Sequence, residues 1–226
     1  MRNYLTEFIG TFFLVLTIGL TVIPELPFAP LAIGASLMVM VYMGGHISGA
    51  HYNPAVSFAV FLRGKMKSTG ELAGYLVSQI LGATTAALVV RALLGRTFAP
   101  APGDGVTAIN AVLVEFLFTF ALALVVLNSA ASARTQGNSF YGLAIGFTIV
   151  VGAFAGGAIS GGAYNPAVAI GPSLVQTAVG DGSLGNLWIY LVGPLLGGAA
   201  GAAVFGLQER PEVHLHAEPS RTPEHR

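Results

Sequence analysis

The chain has no cysteine, a single tryptophan and very little charge: only 9% of its 226 residues are Asp, Glu, Lys or Arg. Without cysteine there is no disulfide framework and no thiolate chemistry. Soluble domains carry about 25% charged residues, so composition alone argues against a water-exposed globular surface. Ten basic residues balance ten acidic ones, and no excess positive charge is left to draw a nucleic acid. No phosphate-cradling glycine loop and no Ser-His-Asp arrangement is visible, which leaves an enzyme without its nucleophile–base pair. What the chain does have is apolar. It is 54% hydrophobic with 30 glycines, and its mean hydropathy is +0.74. This is the composition of an integral membrane protein partnered by the lipid bilayer, with small residues available for close helix packing.

One stretch occurs twice. Gly45-His46-Ile47-Ser48-Gly49-Ala50-His51-Tyr52-Asn53-Pro54-Ala55-Val56 returns as Gly157-Ala158-Ile159-Ser160-Gly161-Gly162-Ala163-Tyr164-Asn165-Pro166-Ala167-Val168, with nine of twelve positions identical. The flanking sequence repeats as well. Glu7-Phe8-x-x-Thr11-Phe12-x-Leu14 matches Glu115-Phe116-x-x-Thr119-Phe120-x-Leu122, and Tyr75-Leu76-Val77 matches Tyr190-Leu191-Val192. The duplication therefore covers nearly the whole chain. In each copy, glycines and a serine interrupt an apolar helix, and an Asn-Pro pair starts a new one, since Asn caps helices and Pro suits the first turn. The new segments (Ala55 to Leu62; Ala167 to Val175) are far short of the roughly 20 residues that span a bilayer. They read as re-entrant half-helices starting near mid-membrane.

Six longer apolar runs read as spans: Tyr4 to Ile23, Leu31 to about Gly45, Gly70 to Leu94, Thr107 to Leu127, Phe140 to Gly156 and Asn186 to Leu207. The first run has a partner deep in the chain, so it reads as a retained span, not a cleaved signal. The expected architecture is an all-α membrane protein with six transmembrane helices and two re-entrant half-helices. Its channel domain covers 1–207, as repeats of about 4–94 and 107–207, with Gly95 to Val106 as a connector. A polar tail, 208–226, reads as disordered. Three spans per half is odd, so the second half is inverted, a transport architecture. With both termini on one side, Arg2, Arg63, Lys65, Lys67, Arg134, Arg210, Arg221 and Arg226 fall there, against Arg91 and Arg96 opposite. The excess places the termini in the cytoplasm. Short loops and the lack of a targeting extension point to a prokaryotic inner membrane.

Each half-helix aims its N-terminus at the membrane centre, where its partial positive charge and free N–H groups gather. Two such ends meeting repel cations and hydronium, and the amides of Asn53 and Asn165 can donate into a lumen. The interrupted stretches Gly44 to Tyr52 and Gly156 to Tyr164 leave carbonyls outside helical bonds, which is tolerated at membrane depth only beside protein or water. Glu7 and Glu115 lie inside apolar spans, where ionisable groups are expensive. They read as anchors for the broken loop of their own half. His46 and His51 lack further ligands for a metal, and His51 reads as hydrogen-bonded to backbone near the cytoplasmic mouth. Neither metal nor cofactor is expected.

Two Asn-Pro-Ala boxes (Asn53, Pro54, Ala55; Asn165, Pro166, Ala167) in an inverted repeat with paired Glu7 and Glu115 resemble the aquaporin, or major intrinsic protein, family. The resemblance covers about 4–207. It implies a homotetramer with one pore per subunit, which the glycine spacings at Gly142, Gly146, Gly193, Gly197 and Gly201 would suit. It implies a passive pore for water or small neutral solutes such as ammonia, hydrogen peroxide, urea or glycerol. By the family's spacing, the narrow ring would be Ile33, Ala153, Gly162 and Val168. Here the chain departs from the pattern it resembles. Most members have Arg where Val168 stands, glycerol facilitators usually follow it with Asp where this chain has Ala169, and some tonoplast intrinsic proteins also carry Val. The ring is small and apolar, hence wider than a strict water filter. A secondary transporter and a structural protein with a closed pore are the rival readings; neither box has an adjacent carboxylate to couple an ion.

Overall fold

In the computed structural model, residues 1–180 and 182–209 are described. Eight helices follow one another: α1 (Arg2–Val22), α2 (Ala29–Ser48), α3 (Pro54–Leu62), α4 (Thr69–Leu94), α5 (Ala108–Val126), α6 (Tyr141–Ser160), α7 (Pro166–Ala178) and α8 (Leu187–Gln208). Six are long and apolar enough to cross a membrane, α5 continuing through Ala131. The other two, α3 and α7, are the short ones. The protein is a multi-pass all-α membrane protein with six spans and two half-helices. Large apolar side chains, including Leu81, Leu113, Phe154 and Leu196, turn outward and are more than half exposed, as a lipid-facing surface requires.

The two halves are assembled alike and then interlocked. α1 packs on α2 and α4, α5 packs on α6 and α8, and α2 meets α6 across the middle. Each half-helix lies chiefly against the other half, α3 on α8 and α7 on α4. Glycine sets the crossing distances. A Cβ on Gly34 would sit 2.5 Å from the carbonyl oxygen of Gly146, and one on Gly146 would sit 2.5 Å from that of Gly34. Gly82 meets the backbone of Phe8 on α1, and Gly197 meets that of Phe116 on α5. The stripe at Gly193, Gly197 and Gly201 faces α5, while Gly142 and Gly146 face Tyr42 and Met38 of α2. These spacings serve packing within the subunit and lend no support to a tetramer.

The sequence reading ended two helices too early. α2 continues past Gly45 to Ser48, and α6 continues past Gly156 to Ser160. Glycine inside a tightly packed helix makes room for a neighbour and does not break it. Gly44 and Gly156 face the hydroxyls of Tyr52 and Tyr164, which occupy the place a side chain would take. The breaks come at Gly49 (φ 87°) and Gly161 (φ 88°), left-handed C-caps of the kind that favours glycine. α7 also outruns its expected end and carries Pro172 within it.

The polar link after α5 is folded, not a loose loop. It passes through a π-type turn (Leu127–Ala131) and a short 3-10 turn (Ala133–Thr135). The Asn138 amide donates to the carbonyls of Ser129 (2.7 Å) and Thr135 (2.6 Å). Asn128 donates to Gln208 (3.0 Å) and Ser132 to Glu209 (2.5 Å). Gln208 and Glu209, assigned from sequence to the tail, are thus a helix end and a tied turn; the rest of the tail, with His214 and His216, lies outside the described residues.

The α2–α6 crossing gives a direct test. Gly146→Val forces the two backbones apart and lowers the thermal midpoint of the detergent-solubilised protein. Gly157→Ala, whose added Cβ meets nothing within 4 Å, leaves it nearly unchanged. Equal midpoints for both variants would show that this crossing is not close-packed.

Candidate functional site: two facing half-helices and the cavity beside them

The site is built from a backbone that needs help. After each C-cap the chain makes a four-residue link to the half-helix. Ala50 (φ 52°) and Gly162 (φ 65°) are left-handed, and so are Tyr52 (φ 48°) and Tyr164 (φ 49°). A bulky residue there is costly and persists only where its surroundings over-determine it. A buried carboxylate supplies the determination in each half. Glu7 accepts from the Ser48 hydroxyl (2.6 Å), the N–H of His51 (3.0 Å), the N–H of Tyr52 (2.7 Å) and the Gln79 amide (2.8 Å). Glu115 accepts from the Ser160 hydroxyl (2.8 Å) and the N–H groups of Ala163 (3.0 Å) and Tyr164 (2.6 Å). Both carboxylates are fully buried.

Tyrosines complete each link. The hydroxyls of Tyr52 and Tyr164 donate to the carbonyls of Met40 (2.9 Å) and Gly152 (2.8 Å). Those of Tyr75 and Tyr190 donate to the last helical carbonyls, Ser48 (2.6 Å) and Ser160 (2.5 Å). Ser48, Ser160, Tyr52, Tyr164, Tyr75, Tyr190 and Gln79 were not singled out from sequence as supporting residues. Except for Gln79, the signal was available: each keeps its identity between the two halves.

His51 was expected to bond backbone near the cytoplasmic mouth; it lies buried in the link, and its ring has a different partner. Its side chain bonds another side chain, with Nδ1 3.1 Å from the Ser57 hydroxyl oxygen. Ser57 in turn accepts from Gln79 (2.9 Å). The second half lacks this chain, since Ala163 and Ala169 replace His51 and Ser57 and the position matching Gln79 is Pro194. The cause is local: once Gln79 bridges Glu7 and the start of α3, a hydroxyl and an imidazole are needed to continue the bonding, and a proline on α8 removes that need.

Asn53 and Asn165 do two jobs each. Their side-chain oxygens cap their own half-helices, accepting from Ala55 N–H (2.9 Å) and Ala167 N–H (3.0 Å). Such a cap contributes about 1 kcal/mol. Their amides cross the midplane: Asn53 donates to the Tyr164 carbonyl (2.8 Å) and Asn165 to the Tyr52 carbonyl (2.9 Å). An amide has two N–H bonds, so each Asn keeps one for another partner. Both Asn residues line a cavity of about 440 Å³, and the same cavity is lined by Ile33, Ala153, Gly162 and Val168. Of the ten residues that the sequence assigned to the two boxes and the ring, these six line one cavity, while Pro54, Ala55, Pro166 and Ala167 do not line it. Among the described residues, no charged side chain lines this cavity; Leu14, Leu37, Leu122 and Ile149 add to its apolar wall. Arg96 does not enter it and instead donates to the Ile23 carbonyl (3.4 Å). A second cavity of about 700 Å³ opens on the termini side, lined by His46, Gly49, Lys65, Tyr141 and the folded link after α5. Together they put a mouth on either side of the paired half-helices.

A helical membrane protein with two interlocked inverted halves, half-helices meeting end to end and a mouth on each side is a passive channel by class. The family comparison agrees with the geometry. Residues 1–205 match the model of the Major intrinsic protein family, and the chain belongs to that family. It is 36% identical over 217 residues to Aquaporin NIP1-1 of Zea mays, covering 92% of this chain and 74% of that one. It is also 36% identical to Glycerol uptake facilitator protein-like 6 of Lactiplantibacillus plantarum, covering 87% of this chain and 93% of that one. The X-ray structure of the aquaglyceroporin from Plasmodium falciparum shares the fold, with a TM-score of 0.79 at 21% identity over 90% of this chain and 94% of that one. The protein is therefore a non-catalytic channel for water or small neutral solutes.

The carboxylates predict an order of effects. In Glu7→Gln, either placement of the new NH₂ group faces two donors; in Glu115→Gln, one placement faces only the Tyr164 N–H. Each buried donor left without an acceptor costs about 1–3 kcal/mol. Both variants lose thermal stability in detergent, and Glu7→Gln loses more. The reverse order would show that Glu7 does not carry the larger set of bonds.

Proposed function

We propose that this channel passes small uncharged solutes larger than water, and that ions and protons are turned back at Asn53 and Asn165. One observation carries the reading: Ile33, Ala153, Gly162 and Val168 share a single cavity with both Asn side chains, and none of the four offers a side-chain donor or a charge. A forked, cationic arginine at position 168 would narrow such a passage and bind carbonyl-bearing solutes. Valine there leaves the passage open and apolar on that wall. A solute with some apolar surface is then dehydrated on one side only, while free carbonyls and the spare Asn N–H bonds serve its polar groups. The half-helix N-termini oppose positive charge whatever the width of the ring. Glycerol and urea fit this description, ammonia and hydrogen peroxide are small enough to pass with them, and glycerol figures in the name of a relative from Lactiplantibacillus plantarum.

The proposal includes the setting. The termini face the cytoplasm, because Arg2, Arg63, Lys65, Lys67 and Arg134 lie on their side of the membrane, against Arg91 and Arg96 on the other. The membrane is a prokaryotic inner membrane, and the working unit is a homotetramer with one pore in each subunit. The tetramer rests on family membership alone.

The test is a permeability panel on purified protein in liposomes, with stopped-flow readout for water, glycerol, urea and peroxide and a pH-sensitive dye for protons. Wild-type protein should pass glycerol or urea without dissipating a proton gradient. Val168→Arg should cut glycerol flux more than water flux. A wild type that passes water alone, with an unmoved solute ratio in Val168→Arg, would remove position 168 from the filter.

A further inference from the structure

The connector between the halves has a use beyond joining them. Residues 95–107 form no helix apart from the cap at Gly95, yet Phe98, Ala99 and Pro100 are half-buried. The segment is tied down at both ends. On the first half, the Phe98 ring and Val90 fill the space beside Gly19 of α1, so that a Cβ there would collide with both. On the second half, Gly103 donates its N–H to the Ile159 carbonyl (3.0 Å), and a Cβ on Gly161 would lie 2.7 Å from the Ala101 carbonyl oxygen. Between these ties, Phe98, Ala99, Pro100 and Ala101 all line the 440 Å³ cavity that holds the four ring residues.

Among the described residues, the other mouth is bordered by the link after α5 and has no strap lying on its broken loop. Gly49, the counterpart of Gly161, has only the side chain of His51 within 4 Å of its Cβ position, and the cavity there is larger, about 700 Å³. The composition of the strap suits an apolar passage. Pro100 and Pro102 carry no N–H that would need a partner, and they hold the backbone stiff. The side chains at Ile33, Ala153, Gly162 and Val168 are too short to fill the space an arginine would occupy, and the strap borders that same space.

We infer that the strap 98–101 is a specificity-determining element of this channel, with Phe98 its principal residue: the strap, together with the short ring, sets the largest solute that passes. This rests on the channel reading above. A rigid aromatic edge held against α1 and α4 is a fixed boundary. A change in its size shifts the cut-off for long solutes more than for water, which needs little width.

The test compares water, glycerol and the longer polyol erythritol in liposomes carrying the full chain. Phe98→Ala should raise erythritol flux several-fold more than water flux, and Phe98→Trp should lower it. The absence of cysteine provides a second, independent arm. Ala99→Cys has one thiol, which neutral methanethiosulfonate reagents of increasing size should modify in the folded protein. Each larger adduct should cut glycerol flux further, and reductant should restore it. Should Phe98→Ala misfold, the labelling arm decides. The inference is overturned if Ala99→Cys resists labelling in the folded protein, or if complete labelling, checked by mass, leaves the glycerol-to-water ratio unmoved while wild type conducts. A wild type that conducts nothing, water included, overturns the channel reading and this inference with it.

Discussion

Everything in this structure depends on keeping a non-helical backbone satisfied in the middle of a bilayer. Lipid offers no hydrogen bonds, and each unmet N–H or carbonyl costs several kcal/mol at that depth. The chain meets the requirement with a carboxylate on each outer helix. Glu7 and Glu115 reach across to the links after α2 and α6 and accept from two consecutive N–H groups in each. Two adjacent donors converging on one carboxylate fix the left-handed conformation of Tyr52 and Tyr164, and that conformation turns Asn53 and Asn165 into helix caps at the midplane. Removing the carboxylates would leave the half-helices with no defined starting point. The glycines at 10, 44, 152 and 156 belong to the same requirement, since they clear room for the tyrosine rings that close each link.

The two halves meet this requirement to different degrees. The first surrounds its carboxylate with Gln79, Ser57 and His51 and so extends the polar bonding into α3 and α4. The second stops at Ser160 and the two backbone donors, with alanine and proline beyond. The difference matches the two mouths. The richer network sits behind the wide termini-side cavity, whereas the leaner one sits behind the loop that the connector covers. Packing by the strap on one side and hydrogen bonding on the other are two solutions for holding a short link in place.

Much of this was legible in the sequence, because a duplication shows which positions are under common constraint. The doubled Asn-Pro-Ala boxes, the paired glutamates and the odd number of spans per half were sufficient for the topology, whereas the ring positions came only from the family resemblance. The helix ends were not legible. Gly44, Gly45 and Gly156 have the local signature of a break, but close tertiary contact holds them helical, and only the contact explains them. The partner of His51 was missed because Ser57 and Gln79 have no counterparts in the second half, so the repeat was silent there. The connector was recognised as a link, but its burial was not legible, for a similar reason. It occurs once, and its burial depends on Gly19 and Gly161, residues 79 and 63 positions away from Phe98 by subtraction.

The crossed amide bonds have a consequence for origin. Each half supplies one Asn donor and one Tyr carbonyl acceptor, and neither is used within its own half. The half-helices are exchanged as well, α3 lying on α8 and α7 on α4. A half-length chain would therefore be incomplete alone and complementary to an upside-down copy of itself. A gene for one half, able to insert in both senses, would already encode both members of a working antiparallel dimer. Fusion would then require little more than a tether long enough to cross one mouth.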